Sequence, residues 1–400
     1  MARTILYAAI SILLVAAIIR QPDEAFQASL QGLTIWWNIV FPGLLPFLVL
    51  FELIAAFGLI HGFGVLLKPI MRGLFKLPGE AALPLLLGWL SGHQAGAEAT
   101  AALRRDNLIT RSEGQRLLAL SHMPNPLFML VVIGAGFLHR PELGLFIAII
   151  VWLSALCTAL WISLFGERRA KSLSKDQKTS MLDIAADAIV TSRDRDGRSF
   201  GKALGDAVSF GVQKLLIVGG FMIFAAVVAR LALPLIVHAL PNGIAELLLP
   251  ALLESHIGAY AAAVWQGPGV STAVSAAAIA AVLAWSGISA LLQAGYAITG
   301  TDLKLMPLIW VKLLHTIHAA VLALLLWKPV QTVITLLPSQ LTDATEAMLQ
   351  DGVTWSRPSN AYEAVTALGL PSIWPYTLTA AAVLAIMFAA IRVISPRGKR

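Results

Sequence analysis

Only one cysteine stands in this chain, Cys157, and it lies inside an apolar run. An intrachain disulfide is excluded. No CxxC pair or His/Cys cluster at ligand spacing points to a metal site. Charge is scarce as well. Asp, Glu, Lys and Arg make up 13% of the residues, where a soluble domain carries about a quarter. No Walker sequence follows a strand-like run, no HExxH occurs, and Gly267-Pro268-Gly269 reads as a turn rather than a phosphate loop. The alternating ~10-residue segments of a membrane barrel are missing too. These absences argue against an enzyme, a bound cofactor and a metal, and they leave an all-α polytopic membrane protein.

What is abundant is hydrophobic sequence, 58% of the chain. Apolar runs at roughly 4–19, 36–60, 115–138, 142–166, 204–235, 270–300, 303–328 and 373–392 approach or exceed the ~18 residues of a spanning helix. The first resembles a signal peptide in length and is read as an uncleaved anchor. Two further stretches, about 81–103 and 244–265, are interrupted by Gly and polar residues. They read as re-entrant hairpins, tolerated at membrane depth only where protein or a wet cavity surrounds them.

The formal charge of +7 would suit nucleic acid, but the basic residues sit between the apolar runs. The positive-inside rule accounts for them instead. With the 167–202 loop and both termini in the cytoplasm, 22 of the 29 Lys and Arg residues fall inside. They include Lys68, Arg72, Lys76, Arg104, Arg105, Arg111, Arg116 and Lys304. That bias requires the two hairpins not to cross.

The same threading yields an order of span, hairpin, broken span and span, once from outside and once from inside. This is an inverted-topology repeat. The expected organisation is an anchor and surface segment (1–35), a first repeat (36–166), a basic linker (167–203), a second repeat (204–328), an extracytoplasmic amphipathic segment (329–372), and a last span with a basic tail (373–400). Met181 to Val190 in the linker is expected to form a short surface helix.

Four polar breaks carry the candidate chemistry. They are Ser91-Gly92-His93-Gln94 at the first hairpin tip, Ser121-His122-Met123-Pro124-Asn125-Pro126, Glu254-Ser255-His256 at the second tip, and Ser286-Gly287-Ile288-Ser289. Glycine lets the backbone turn, proline removes amide donors, and Asn125 before Pro126 suits a helix N-cap. Half-helix N-termini offer free amides and partial positive charge to an anion, and freed carbonyls suit a cation. The substrate-binding candidates are Ser91, His93, Gln94, Ser121, Asn125, Glu254, Ser255, His256, Ser286 and Ser289. A kink satisfied by neighbouring helices is the plain alternative for each break.

Ionisable residues inside spans are costly and hence functional candidates. Glu52, Glu98, Lys312 and His315 are the coupling or gating candidates, and His315 and His318 could relay protons. Lys312 snorkelling toward the interface is the plain alternative. Lys214 and Arg230 stand toward span ends, and snorkelling is expected for both.

Residues 69–139 also resemble a known family. The resemblance rests on Pro69-Ile70-Met71-Arg72-Gly73-Leu74-Phe75, Leu77-Pro78-Gly79, Leu108-Ile109-Thr110-Arg111-Ser112-Glu113, Arg116-Leu117-Leu118 and Asn125-Pro126-Leu127-Phe128. It is to the YlbJ-type sporulation integral membrane proteins, within the set carrying nucleoside-recognition (Gate) domains. Looser similarity runs through about 36–330. The resemblance implies a multi-pass transporter in the outer forespore membrane, moving dipicolinic acid during sporulation. Where the family pattern reads S-G-Y-P-x-G-A-K, this chain has His93, Gln94 and Glu98 in place of Tyr, Pro and Lys. An acid thus stands beside the anion site, and Glu98 is either protonated or paired with Arg104 or Arg105. The departure points to a changed substrate or coupling ion.

The leading expectation is alternating-access transport of a small organic anion through the bilayer, with a proton or sodium as coupling ion and a homo-oligomer left open. A nucleoside or other metabolite is the alternative cargo. A non-transporting scaffold is the alternative in kind, and it predicts that the four breaks are packed shut.

Overall fold

The computed structural model describes residues 2–164, 180–240, 243–265 and 269–335. The chain divides into two units, Met1–Lys328 and Pro329–Arg400, and the fold below is that of the first. The expected segment at 329–372 and span at 373–392 lie outside the described residues, apart from the end of one helix.

The described residues are helical, with no strand among them. α1 (Ala2–Arg20) precedes α2 (Pro22–Ile35), which runs through a π-helical turn, Trp36–Val40, into α3 (Phe41–Ala56). The wide turn has a local cause. Pro42 has no amide and its ring would meet the carbonyl of Asn38. The ladder widens there, and the Phe41 amide donates to the Trp36 carbonyl. The expected span at 36–60 is therefore part of a longer helix that begins at Pro22. It stops early because Gly58 adopts φ 79°, which restarts the chain as the amphipathic α4 (Leu59–Gly73).

α5 (Ala82–Ser91) and α6 (His93–Arg105) form the first hairpin, turning at Gly92 with φ 100°. α7 (Arg111–Ser121) opens with a Thr110–Glu113 capping box and breaks before a second helical segment containing Phe128–Phe137. α8 (Pro141–Leu164) closes this half. α9 (Met181–Asp196) is longer than the helix expected in the linker. α10 (Phe200–Ile236), the hairpin of α11 (Ile244–Leu253) and α12 (Ser255–Val264), the broken pair α13 (Thr272–Trp285) and α14 (Gly287–Ala297), and α15 (Leu305–Thr335) complete the fold.

Among the described residues, five helices are long and apolar enough to cross a membrane: Pro22–Ala56, Pro141–Ser163, Phe200–Ile236, Thr272–Ala297 and Leu305–Val330. Thr4–Arg20, Phe128–Phe137 and Ile244–Leu253 are apolar but shorter. Large apolar side chains such as Leu13, Leu216, Phe224, Leu292, Trp310 and Leu325 stand exposed on them. Among soluble monomers exposed apolar patches of that extent are rare, whereas lipid favours them. The chain is an integral membrane protein.

Backbone approaches backbone at the breaks. A Cβ on Gly88 would lie 1.8 Å from the Ser121 carbonyl oxygen, and one on Gly96 would lie 2.4 Å from the same atom. In the other half a Cβ on Gly258 would lie 2.5 Å from the Ala251 Cα, and one on Gly287 2.9 Å from the Glu254 Cα. Glycine thus seats each hairpin against its own arm or the neighbouring broken helix. A shared apolar cluster of Ala97, Ala101, Leu118, Leu291, Ala294 and Leu308 joins the two halves.

The loops bearing basic residues also meet. Arg104 forms a bidentate pair with Asp302, at 2.8 and 2.9 Å. The guanidinium holds the Asp302 carboxyl below the usual carboxylate range, chiefly through these hydrogen bonds. Gln115 bonds the Lys304 backbone, and Arg116 donates to the carbonyls of Phe75 and Lys76.

Candidate functional site

Each break frees backbone groups, and where they find partners defines the site. The freed carbonyls are held by side chains. Trp89 Nε1 donates to the Leu120 carbonyl at 2.8 Å, and Trp285 Nε1 donates to the Leu252 carbonyl at 3.2 Å. Lys214 Nζ donates to the Ser91 carbonyl at 2.7 Å and to Ser91 Oγ at 2.8 Å. Lys312 Nζ donates to the His122 carbonyl at 3.0 Å. The cations at the freed carbonyls of the first half are therefore lysine ammoniums of the second half.

The freed amides divide into two kinds. Asn125 Oδ1 accepts from the Leu127 amide at 2.8 Å, the N-cap that its place before Pro126 predicts. The Glu254 carboxylate caps α12, accepting from the amides of His256 at 2.7 Å and Ile257 at 2.9 Å. Its other oxygen lies 2.6 Å from His256 Nδ1. By contrast, α6 and α14 begin without any side-chain cap. Their first amides carry the helix-dipole charge with no side-chain cap accepting from them.

Both uncapped ends line one cavity of about 790 Å³, its open mouth included. Its wall brings together Ser91, His93, Gln94, Asn125, Glu254, Ser255, His256 and Ser289, eight of the ten substrate-binding candidates. Ser121 and Ser286 are elsewhere. Both are 0% exposed, with their hydroxyls turned to the carbonyls of Leu118 and Leu283. Leu44, Leu48, Phe221 and Phe128 give the cavity an apolar side, and the Phe128 ring meets His256 at 4.2 Å between centroids.

None of the four coupling candidates lines this cavity. Glu52 and Glu98 lie close enough to Lys214 for their charges to interact with it. Glu98 is exposed and accepts from Gln94 Nε2 at 2.9 Å. The expected Glu98–Arg104 pair is not formed, because Asp302 takes the guanidinium. Lys312 does not snorkel; it is 1% exposed. His315 is 3% exposed, with Nε2 at 3.1 Å from the Val151 carbonyl and 3.0 Å from Ser154 Oγ. His318 Nδ1 meets Thr158 Oγ1 at 2.8 Å.

Lys214 was expected to snorkel, yet it lines the cavity with Leu215, Ile217, Val218 and Phe221. The available signal was its place. A single lysine precedes an unbroken apolar run, Leu215 to Val218, near the middle of the 37-residue α10. Gln293, one turn after Ser289 on α14, is a second lining residue not anticipated. Arg230, expected to snorkel too, pairs with Glu24 at 2.5 Å, with both side chains about half exposed.

Residues 38–171 match the family model described as nucleoside recognition, Gate. Over 345 residues the chain is 35% identical to the sporulation integral membrane protein YlbJ of Bacillus subtilis (strain 168). That alignment covers 82% of this chain and 84% of the relative. No solved structure matches.

Proposed function

This chain belongs to the family of the sporulation integral membrane protein YlbJ, and from that premise we propose that it carries a small organic anion across a membrane. Dipicolinate crossing the outer forespore membrane is the specific cargo. One observation carries the reading: two uncapped half-helix N-termini and the Lys214 ammonium border the same cavity. A planar dicarboxylate suits it, since free amides at helix starts bind carboxylates and the apolar wall accommodates a ring. Glu98, the acid that departs from the family pattern, does not line the cavity; it accepts from Gln94 and its charge acts on Lys214 from outside the wall.

The mechanism in this reading is alternating access. The two halves, each a hairpin with a broken helix, form the inverted repeat and rock about the cavity. The hairpins enter and leave on one side, and the basic end marked by Lys76, Arg104, Arg116 and Lys304 is cytoplasmic, as are both termini.

A nucleoside is the second reading. It is favoured by the Gate description and by the amides of Gln94, Asn125 and Gln293 around the cavity, which suit a base edge. A scaffold with its breaks packed shut is disfavoured by a cavity bordered by His93, Asn125, Glu254 and Ser289.

Flux of labelled dipicolinate in proteoliposomes tests the proposal. Wild type is expected to exchange it, with uridine not competing. Asn125→Ala, which frees the Leu127 amide, is expected to lower the rate about tenfold. A wild type that exchanges uridine and not dipicolinate sinks the cargo and supports the second reading.

A further inference from the structure

From the wall of the central cavity a group of four basic side chains runs inward, and three of them, His122, Lys312 and His315, are buried and touch no part of that cavity. His93 lines the cavity, and its ring lies 4.8 Å from that of His122, centroid to centroid. His122 is 0% exposed, and neither of its ring nitrogens has a hydrogen-bond partner among the described residues. His93 Nε2 is likewise buried without one. Lys312 bonds the His122 carbonyl and approaches His315 Nδ1 at 3.3 Å. His315 in turn borders a second cavity of about 430 Å³, with Arg116, Met123, Thr158 and Ser163 on its wall. The group therefore fills the space between two cavities.

The hydrogen bonds fix one tautomer. The Ser154 hydroxyl donates to the Val151 carbonyl, so both neighbours of His315 Nε2 act as acceptors and Nε2 carries the proton. His315 Nδ1 then offers its lone pair to Lys312. His122 is different: one donor and one acceptor are buried and unmatched, a cost that native folds rarely carry without a function.

The titratable groups that act directly on the four are basic, and the acids nearby are engaged elsewhere: the charges of Glu52 and Glu98 act on Lys214. His93 senses Lys312, His256 and Lys214; His122 senses His93, Lys312 and His315; His315 senses Lys312 and His318. Glu254, beside His256, is committed to the α12 cap. A proton added here adds positive charge with no carboxylate in the group to balance it. An anion in the central cavity supplies that balance.

Resting on the transport reading above, we infer that His93, His122, Lys312 and His315 form the proton-coupling site of the transporter. Binding of the anion draws one proton from bulk water onto the group, by way of the second cavity and His315. Departure of the anion on the far side releases that proton through His93. At a separation of about 10 Å and an effective dielectric of about 20, an anion raises the group's proton affinity on the order of tenfold. Linkage requires the proton to raise the anion's affinity by the same factor.

The test uses the full chain in liposomes with labelled dipicolinate as probe and a pH dye in the lumen, against protein-free liposomes. Exchange at equal pH reads transport alone; accumulation under an acid-outside gradient reads coupling. Wild type is expected to exchange the probe, accumulate it at least tenfold and acidify the lumen as it does so. Lys312→Gln, which does not alter the central cavity wall, is expected to exchange within about threefold of wild type and to lose accumulation. His122→Gln is expected to do the same and decides the matter if the lysine variant does not fold. Exchange without gradient-driven accumulation in wild type, or full accumulation by both variants, overturns the inference. Absence of exchange by wild type defeats the transport reading itself, and the coupling site falls with it.

Discussion

Glu254→Ala is expected to abolish transport, lowering flux by at least a hundredfold, and to weaken the fold. The carboxylate is 3% exposed and accepts from two amides at the start of α12 and from His256. Loss of a helix cap costs about 0.5–2 kcal/mol, and a buried group left unmatched costs about 1–3 kcal/mol more. Stability should therefore fall by roughly 2–4 kcal/mol, seen as a lower Tm in detergent. Glu254→Gln separates the two effects. Its carbonyl oxygen still accepts from the amides, so most of the stability returns. Its amide nitrogen donates where the carboxylate accepted, so His256 Nδ1 must become the acceptor, the ring changes tautomer, the carboxylate charge is lost from the cavity wall, and flux stays low. Wild-type flux in the alanine variant would remove Glu254 from the site.

Lys214→Met is expected to weaken anion binding on the order of a hundredfold, at a modest cost in stability. The ammonium is the cation bordering the two uncapped helix starts, and it is held in place by Ser91. A unit charge about 4 Å away at an effective dielectric of 20 is worth ~4 kcal/mol before desolvation. A net loss of about 2.7 kcal/mol corresponds to that hundredfold. Methionine keeps the stem's bulk but cannot donate to the Ser91 carbonyl and hydroxyl, so stability should fall by about 1–3 kcal/mol. The discriminating readout is KM for dipicolinate. A rise in KM with maximal rate preserved fits a binding contact, whereas unchanged KM would return Lys214 to a structural role.

The breaks were legible in the sequence because their causes are local. Pro124 and Pro126 remove donors wherever the chain goes, Gly92 and Gly287 permit φ values of 100° and 81°, and Asn125 reaches only two residues ahead. Eight cavity residues followed from those signals. Lys214 did not, since its partner Ser91 is 123 positions away and only the packing of α10 on the first hairpin brings them together. The same holds for Arg104, whose nearest acids in sequence, Glu98 and Asp106, lose to Asp302. The Glu254 cap was hidden for a different reason. Its carboxylate occupies the very amides that would otherwise have been offered to substrate, so one of the half-helix ends expected to bind an anion is filled by the protein itself.

If the cavity between the hairpins is the substrate site, bound anion must shield its wall from chemical modification. Cys157 is the only native cysteine, so Ser289→Cys on a Cys157→Ser background places one thiol on the cavity wall at the uncapped start of α14. The rate of its modification by a small charged thiol reagent is then measured in proteoliposomes, with and without saturating dipicolinate. The account predicts at least tenfold slower labelling when the anion is present. The same rate in both conditions, from protein that is moving the anion, would contradict it.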